Sequence, residues 1–322
     1  MSPVVTLLLV ATGGTIASRP TPEGVRVGLS GSELVERAGV EADAVEVLEL
    51  GQGPSWAFTS SAVERLARTV VAAAASRDVD GVVITHGTDT LEESAFLTWL
   101  LGGHAASERC PIVFTAAMHH AEHPDADGPA NLRDALALAA GGKVPAPGPV
   151  VRVAGGTHHA RWARKRDTSA VETFESVGAG APAPPASPPP CGDAIEWAVA
   201  EVHSYTGVDP AAVDLAVERG ARGVVLVGTG AGNAHADLAG GIVRAVAADV
   251  PVVVTSRCWT GPVAAEYGGP CGGRWLADAG CILAGDLPTN KARLALSVAL
   301  GVNPGVEAVR AWFGALVGDG AG

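Results

Sequence analysis

The chain has 322 residues, enough for two α/β domains, and its 48% hydrophobic and 17% charged residues exclude a disordered polypeptide. Its formal net charge of −12 argues against a nucleic-acid partner, because phosphate binding begins with clustered lysine and arginine, and the one basic stretch, Arg161 to Arg166, is short. The five cysteines form no Cys-x-x-Cys pair, so neither a zinc ribbon nor a redox motif is supported; they read as free thiols of a cytoplasmic protein.

In chain order, residues 4–10 form an apolar run that leads into a glycine turn, and they read as a first buried strand rather than a signal peptide. Residues 44–50 are a second extended run. The spacing of Val63, Leu66, Val70 and Val71 predicts a helix over 61–76. A strand DGVVIT (80–85), a helix over 91–101, a strand at 111–115, a helix over 132–140 and a strand at 150–153 follow. Residues 179–190 (AGAPAPPASPPP) hold six prolines and can sit in neither a helix nor a central strand. Beyond them come a strand at 198–203, a helix over 210–219, a strand at 223–227, a helix over 236–248, a strand at 250–255 and a final helix pair from about Thr289. No internal repeat is present and no run is long enough to span a bilayer. The βα alternation predicts two α/β domains with mostly parallel sheets. The larger N-terminal domain covers 1–178, a proline-rich linker 179–194, and the smaller C-terminal domain 195–322.

Ligands of open parallel sheets bind at the carboxyl ends of the strands, and two segments there carry chemistry. Thr12-Gly13-Gly14-Thr15 follows the first strand, and its glycines allow a sharp turn and close approach of backbone to a ligand. Thr85-His86-Gly87-Thr88-Asp89-Thr90-Leu91-Glu92-Glu93 follows DGVVIT. Alone, the second segment reads equally well as a helix cap, with Thr88 or Asp89 capping and Glu92 or Glu93 completing a box.

Together, TGGTIAS (12–18) and THGTDTLEES (85–94) resemble the two signature motifs of the bacterial L-asparaginase family. The resemblance continues through Asp127 to Leu132, Lys165, Thr173-Phe174, Gly230 to Asn233, Ala284 to Leu287 and Asn290 to Arg293. It implies hydrolysis of asparagine to aspartate and ammonia through a threonine acyl-enzyme, without metal or cofactor, in a homotetramer built from intimate dimers. Thr15 is the implied nucleophile; Thr88, Asp89 and Lys165 form the second triad. The flanking Arg164 and Arg166 would favour a neutral Lys165 able to accept a proton. Backbone N–H groups around Gly87 and Thr88 are oxyanion-hole candidates, Ser55 holds the substrate α-carboxylate beside Trp56, and Asn233 reaches a neighbouring subunit's site. His86 reads as a hydrogen-bonded structural residue.

Several positions depart from the family pattern. Trp56 stands where glutamine or a small polar residue is common, and an indole offers no acceptor. The lid segment 19–30 contains no tyrosine; the chain's two tyrosines are Tyr205 and Tyr267. The stretch Gly268-Gly269-Pro270-Cys271-Gly272-Gly273 has glycines where relatives often carry a glutamate for the amine, with Glu266 close by. His119 follows Met118 where arginine is usual, and the adjacent pairs His119-His120 and His158-His159 are poor metal chelators. Two further readings therefore stay open beside the asparaginase: an amidase for another small amide, and an amino-acid-binding paralogue. The related tRNA-dependent amidotransferase subunit is disfavoured by the acidic charge and by a chain that begins at strand one.

Overall fold

The computed structural model of the protein describes residues 6–41, 44–141, 144, 146–177 and 187–318. The chain forms two compact units, Met1–Ala179 and Gly180–Gly322. The first begins with strand β1 (Leu7–Gly13), a single 3-10 turn at Thr15–Ala17, and a hairpin of β2 (Ser18–Thr21) and β3 (Gly24–Val27). Helix α1 (Gly31–Arg37), opened by a Ser30–Glu33 capping box, precedes β4 (Val45–Gly53), α2 (Ser60–Ala75) and β5 (Gly81–Thr85). Helices α3 (Leu91–Thr98) and α4 (His104–Ser107), strand β6 (Ile112–Thr115) and helix α5 (Gly128–Ala139) follow. The unit ends in β7 (Val150–Val153), β8 (Gly156–His159), β9 (Ala163–Lys165) and β10 (Phe174–Ser176).

Its main sheet runs β4-β1-β5-β6-β7-β8, parallel except for the antiparallel β7–β8 pair. One face packs Leu7, Leu9, Val83 and Val113 against Leu34 and Val35 of α1 and Leu132 and Leu136 of α5. Alternation along the strands turns Val10, Val82, Ile84 and Phe114 to the other face, where α2 and α3 lie. With both faces covered, every residue of β5 is buried, which is why its sequence is an unbroken apolar run.

The second unit repeats the plan on a smaller scale. Strand β11 (Val199–His203), α6 (Ala212–Glu218), β12 (Gly223–Gly228), α7 (Ala239–Ala247), β13 (Val252–Ser256), α8 (Gly273–Asp278) and β14 (Ile282–Leu283) precede α9 (Thr289–Val302) and α10 (Val306–Val317). The sheet is parallel, in the order β11-β12-β13-β14. The architecture is thus two α/β units with mostly parallel sheets.

Local departures have physical causes. The helix expected over 91–101 stops at Thr98; Trp99–Gly103 is a π-helical turn broken where Gly102 takes φ 111°. Of the proline-rich segment, 178–186 lie outside the described residues, and 188–198 have no regular structure. They dock on the second unit: Trp312 Nε1 donates to the Pro190 carbonyl at 2.9 Å, and a Cβ on Gly301 would strike the Ala194 backbone. Burial pushes the thiols of Cys110 and Cys271 up to about 11 and that of Cys281 up to about 12, which leaves them poor nucleophiles.

What positions the site is the end of β1. Gly13 and Gly14 adopt φ 96° and 82°, a region L side chains rarely enter. A Cβ on Gly13 would lie 2.6 Å from the Gly53 carbonyl oxygen, and one on Gly14 would lie 2.6 Å from Gly87 Cα. The turn after β1 therefore lies directly against the turns after β4 and β5. Gly14→Ala combines left-handed strain with a backbone clash, together about 2–4 kcal/mol. Gly24→Ala, at a hairpin tip with φ 111° and open space around it, carries strain alone, about 1–2 kcal/mol. Thermal unfolding and ammonia release of both variants provide the check: Gly14→Ala should lose more stability and most activity, and a Gly14→Ala protein matching Gly24→Ala in both would contradict the packing.

Candidate active site

Three turns converge on a cavity of about 660 Å³ whose wall includes Thr15, Ser55, Trp56, Gly87, Thr88 and Asp89. Thr15 opens the 3-10 turn after β1, half-buried. The turn is locked from within, since Ala17 N–H and Ser18 Oγ both donate to the Gly14 carbonyl, at 3.1 and 2.8 Å. Thr12 Oγ1 donates to the Thr85 carbonyl at 2.8 Å, tying the ends of the adjacent strands β1 and β5 together. Chain direction changes sides of the sheet between these two strands, which is where an open α/β sheet presents its crevice.

Behind Thr88 lies a lysine carried by a hairpin that has no clear signature in the sequence. Lys165 ends β9, which pairs with β10. Its connecting loop is ordered by the Asp167 carboxylate, which accepts from the N–H groups of Ser169 and Ala170 at 2.8 Å each; those bonds hold its carboxyl below the usual carboxylate range. Lys165 Nζ donates to Thr88 Oγ1 at 2.8 Å and to Asp89 Oδ1 at 2.7 Å. The lysine side chain is 17% exposed and that of Asp89 47%. The charge beside Nζ is thus the opposite of the one expected from sequence, because strand alternation turns Arg164 and Arg166 to the other face.

Residues to which the sequence reading gave no place at the site support this group. Glu92, buried, accepts the Lys165 backbone N–H at 2.6 Å and fixes β9 against α3. It therefore completes no capping box. Nor do Thr88 and Asp89 cap α3: the cap position is Thr90, whose Oγ1 donates to the Ser55 carbonyl at 3.0 Å and joins the third turn to the second. Asp127 accepts from the N–H groups of Met118 and His119, and Asn131 links that carboxylate to the Ala116 carbonyl. These bonds hold the cavity wall bearing His119. The signal in the sequence was the segment Asp127 to Leu132, part of the family resemblance but without an assigned role.

Ser55 is 2% exposed, and its Oγ, packed against Gly87, has no hydrogen-bond partner. A buried hydroxyl without a partner costs about 1–3 kcal/mol, which a ligand acceptor would recover. The N–H groups of Gly87 and Thr88 have no intramolecular acceptor among the described residues, so they are available to a developing oxyanion. Trp56 is 72% exposed on the cavity rim. Val25, Arg26 and Val27 of the β2–β3 hairpin and His119, His120 and His123 face the same cavity, the rings of His119 and His123 stacked at 4.1 Å. Asn233 belongs to the second unit, where its carboxamide oxygen accepts from Gly273 N–H at 2.9 Å. It is not among the residues of this cavity. Among the described residues, no group of three or more His, Cys, Asp or Glu could hold a metal ion.

His86 is fully buried beneath the site. Its Nδ1 lies 2.8 Å from the Gly87 carbonyl and its Nε2 2.9 Å from Ser94 Oγ. A neutral ring donating from Nδ1 and accepting at Nε2 satisfies both. Desolvation pushes its pKa down to about 4, against the opposing pull of the Gly87 carbonyl. Above pH 6.5 the ring is neutral in folded and unfolded chains alike. Between 6.5 and 4 only the unfolded chain binds the proton, so stability falls as pH falls, by up to about 3 kcal/mol. The drop in melting temperature between pH 7 and 4.5 should shrink in His86→Gln; an unchanged drop would contradict a buried neutral imidazole.

The comparisons with known proteins agree with this geometry. Residues 6–185 match the family described as Asparaginase, N-terminal, and residues 198–313 match the Glutaminase/Asparaginase C-terminal domain. A probable L-asparaginase of Deinococcus radiodurans is 35% identical over 95% of this chain and 96% of its own. A glutamyl-tRNA(Gln) amidotransferase subunit of Methanopyrus kandleri is 30% identical over 79% of this chain but 62% of its own. The solved structure of the thermostable L-asparaginase from Thermococcus kodakarensis superposes with a TM-score of 0.80 at 26% identity, covering 96% of this chain and 97% of that one. With both halves of the fold matched in order, the chain belongs to the asparaginase family and is a hydrolase acting on amide bonds.

Proposed function

We propose that this chain hydrolyses the side-chain amide of L-asparagine to L-aspartate and ammonia through an acyl-enzyme on Thr15. The observation that carries the reading is the juxtaposition of the Thr15 turn with the Lys165–Thr88–Asp89 group across the Gly14–Gly87 backbone contact. Thr15 Oγ1 attacks the amide carbon while the carbonyl oxygen takes its charge to the N–H groups of Gly87 and Thr88, a contact of about 3 kcal/mol where donors aim at the developing charge. The C–N bond breaks as the Thr15 hydroxyl proton passes to the leaving nitrogen, so ammonia departs and an ester on Thr15 remains. Water held by Thr88 then attacks the ester, one proton passing through Thr88 Oγ1 to Lys165 in its neutral form and from there to Thr15 Oγ1 as the ester C–O bond breaks, which restores both groups. Asp89 orients Lys165 and presents a carboxylate to the substrate amine, and Ser55 Oγ receives the α-carboxylate. No step uses a metal or cofactor.

The assembly proposed is a homo-oligomer, a tetramer of intimate dimers, with Asn233 contributed to a neighbouring subunit's site, in the cytoplasm. The five free thiols suit a reducing compartment. Transfer chemistry on a tRNA is the weaker reading, because a net charge of −12 opposes a polyanion. A second amidase reading is favoured by one observation, the exposed Trp56 on the rim.

Thr15→Ala should lower ammonia release from L-asparagine by roughly 10⁴-fold or more, with an unchanged circular dichroism spectrum. Lys165→Met should lower it by about 10²–10⁴-fold. A folded Thr15→Ala protein with near wild-type turnover would overturn the nucleophile.

A further inference from the structure

The cavity wall offers a free ammonium group little negative charge. Among the described residues, the one carboxylate on its wall is Asp89, already bonded to Lys165 at 2.7 Å. The other ionisable side chains there are Arg26, His119, His120 and His123, each neutral or positive at any physiological pH. An ammonium therefore finds its one counter-charge in Asp89, which Lys165 already engages, whereas an uncharged amide nitrogen needs none.

The rim adds an apolar platform. Trp56 follows Ser55 in a single 3-10 turn, so the indole stands next to the hydroxyl assigned above to the α-carboxylate, at the backbone end of the substrate rather than at the reacting amide. Its 72% exposure leaves most of the side chain open to a ligand. An indole has one donor, no acceptor and a broad apolar face on which a planar acyl group can stack. The cavity, about 660 Å³, falls within the range of about 300–1,000 Å³ that holds drug-sized ligands and exceeds the needs of one amino acid.

We propose that the site takes asparagine whose α-nitrogen is acylated, above all by a planar or aromatic acyl group lying on Trp56, as in an N-acyl-asparagine or a peptide ending in asparagine. This rests on the amidase reading given above and leaves its chemistry unchanged. The bond from Thr15 Oγ1 to the amide carbon forms as the amide C–N bond of the asparagine side chain breaks, water then cleaves the ester, and the products are N-acyl-L-aspartate and ammonia. The α-N-acyl bond is untouched, so no further reactant is required.

The test is ammonia release by the full-length protein from L-asparagine, N-acetyl-L-asparagine and N-benzoyl-L-asparagine, with Trp56→Ala and Trp56→Phe beside wild type. Wild type should turn over the benzoyl compound with kcat/KM no lower than that for free asparagine. The benzoyl-to-free ratio should fall about tenfold in Trp56→Ala and recover in Trp56→Phe. Release from asparagine alone would overturn this proposal and leave the asparaginase reading standing. Release from neither, by folded protein, would overturn both. An unchanged ratio in Trp56→Ala would remove the platform from the account.

Discussion

The site depends on one close approach. Gly13 and Gly14 press against Gly53 and Gly87 with no room for a side chain between them, so three loops that leave three neighbouring strands meet backbone to backbone. Thr15, Ser55 and Thr88 then face one cavity without any of them having to reach across it. The parallel sheet supplies the rest, since β1 lies between β4 and β5 and delivers all three loops at the same edge. A substitution that widened this seam would separate the nucleophile from its partners even with every catalytic side chain present.

Around that seam the polar groups are placed by other buried polar groups. Glu92 holds the Lys165 backbone, Lys165 holds Thr88 and Asp89, and Thr90 holds the Ser55 turn. Beneath them His86 bonds the Gly87 carbonyl and Ser94. Each link is short and all but the Lys165–Asp89 bond are at least partly buried, and removing one leaves a neighbour unsatisfied, which makes such networks rigid. In the proposed reaction, preorganisation of this kind lets N–H groups at Gly87 and Thr88 meet the developing charge without reorganising.

Much of this was legible in the sequence where burial wrote a simple pattern. The runs at β1, β5 and β6 are apolar because both faces of the sheet are covered, and the helix over Ser60–Ala75 announces itself through Leu66 and Val70. The hairpin β2–β3 and the pair β9–β10 were not legible: their strands mix polar and apolar residues and are only four or three long, too short for a pattern to stand out. Lys165 was found through resemblance alone, because nothing in its arginine-flanked surroundings points to Thr88. The acidic residues after Thr88 looked like a helix cap, and only the tertiary contact with Lys165 tells Glu92 apart from a cap. His119 and His120 read as poor metal ligands; that they share a wall with His123 and Trp56 emerged from the packing of the loop held by Asp127.

The central claim is that this seam places Thr15, and not Thr88 or Ser55, where it bonds to the substrate. The most direct measurement is rapid acid quenching of the enzyme during turnover of L-asparagine, followed by mass spectrometry of its peptides. The account predicts a transient aspartyl adduct on the peptide containing Thr15. An adduct on the peptide containing Thr88 or Ser55 would contradict it, as would a burst of ammonia with no adduct on Thr15.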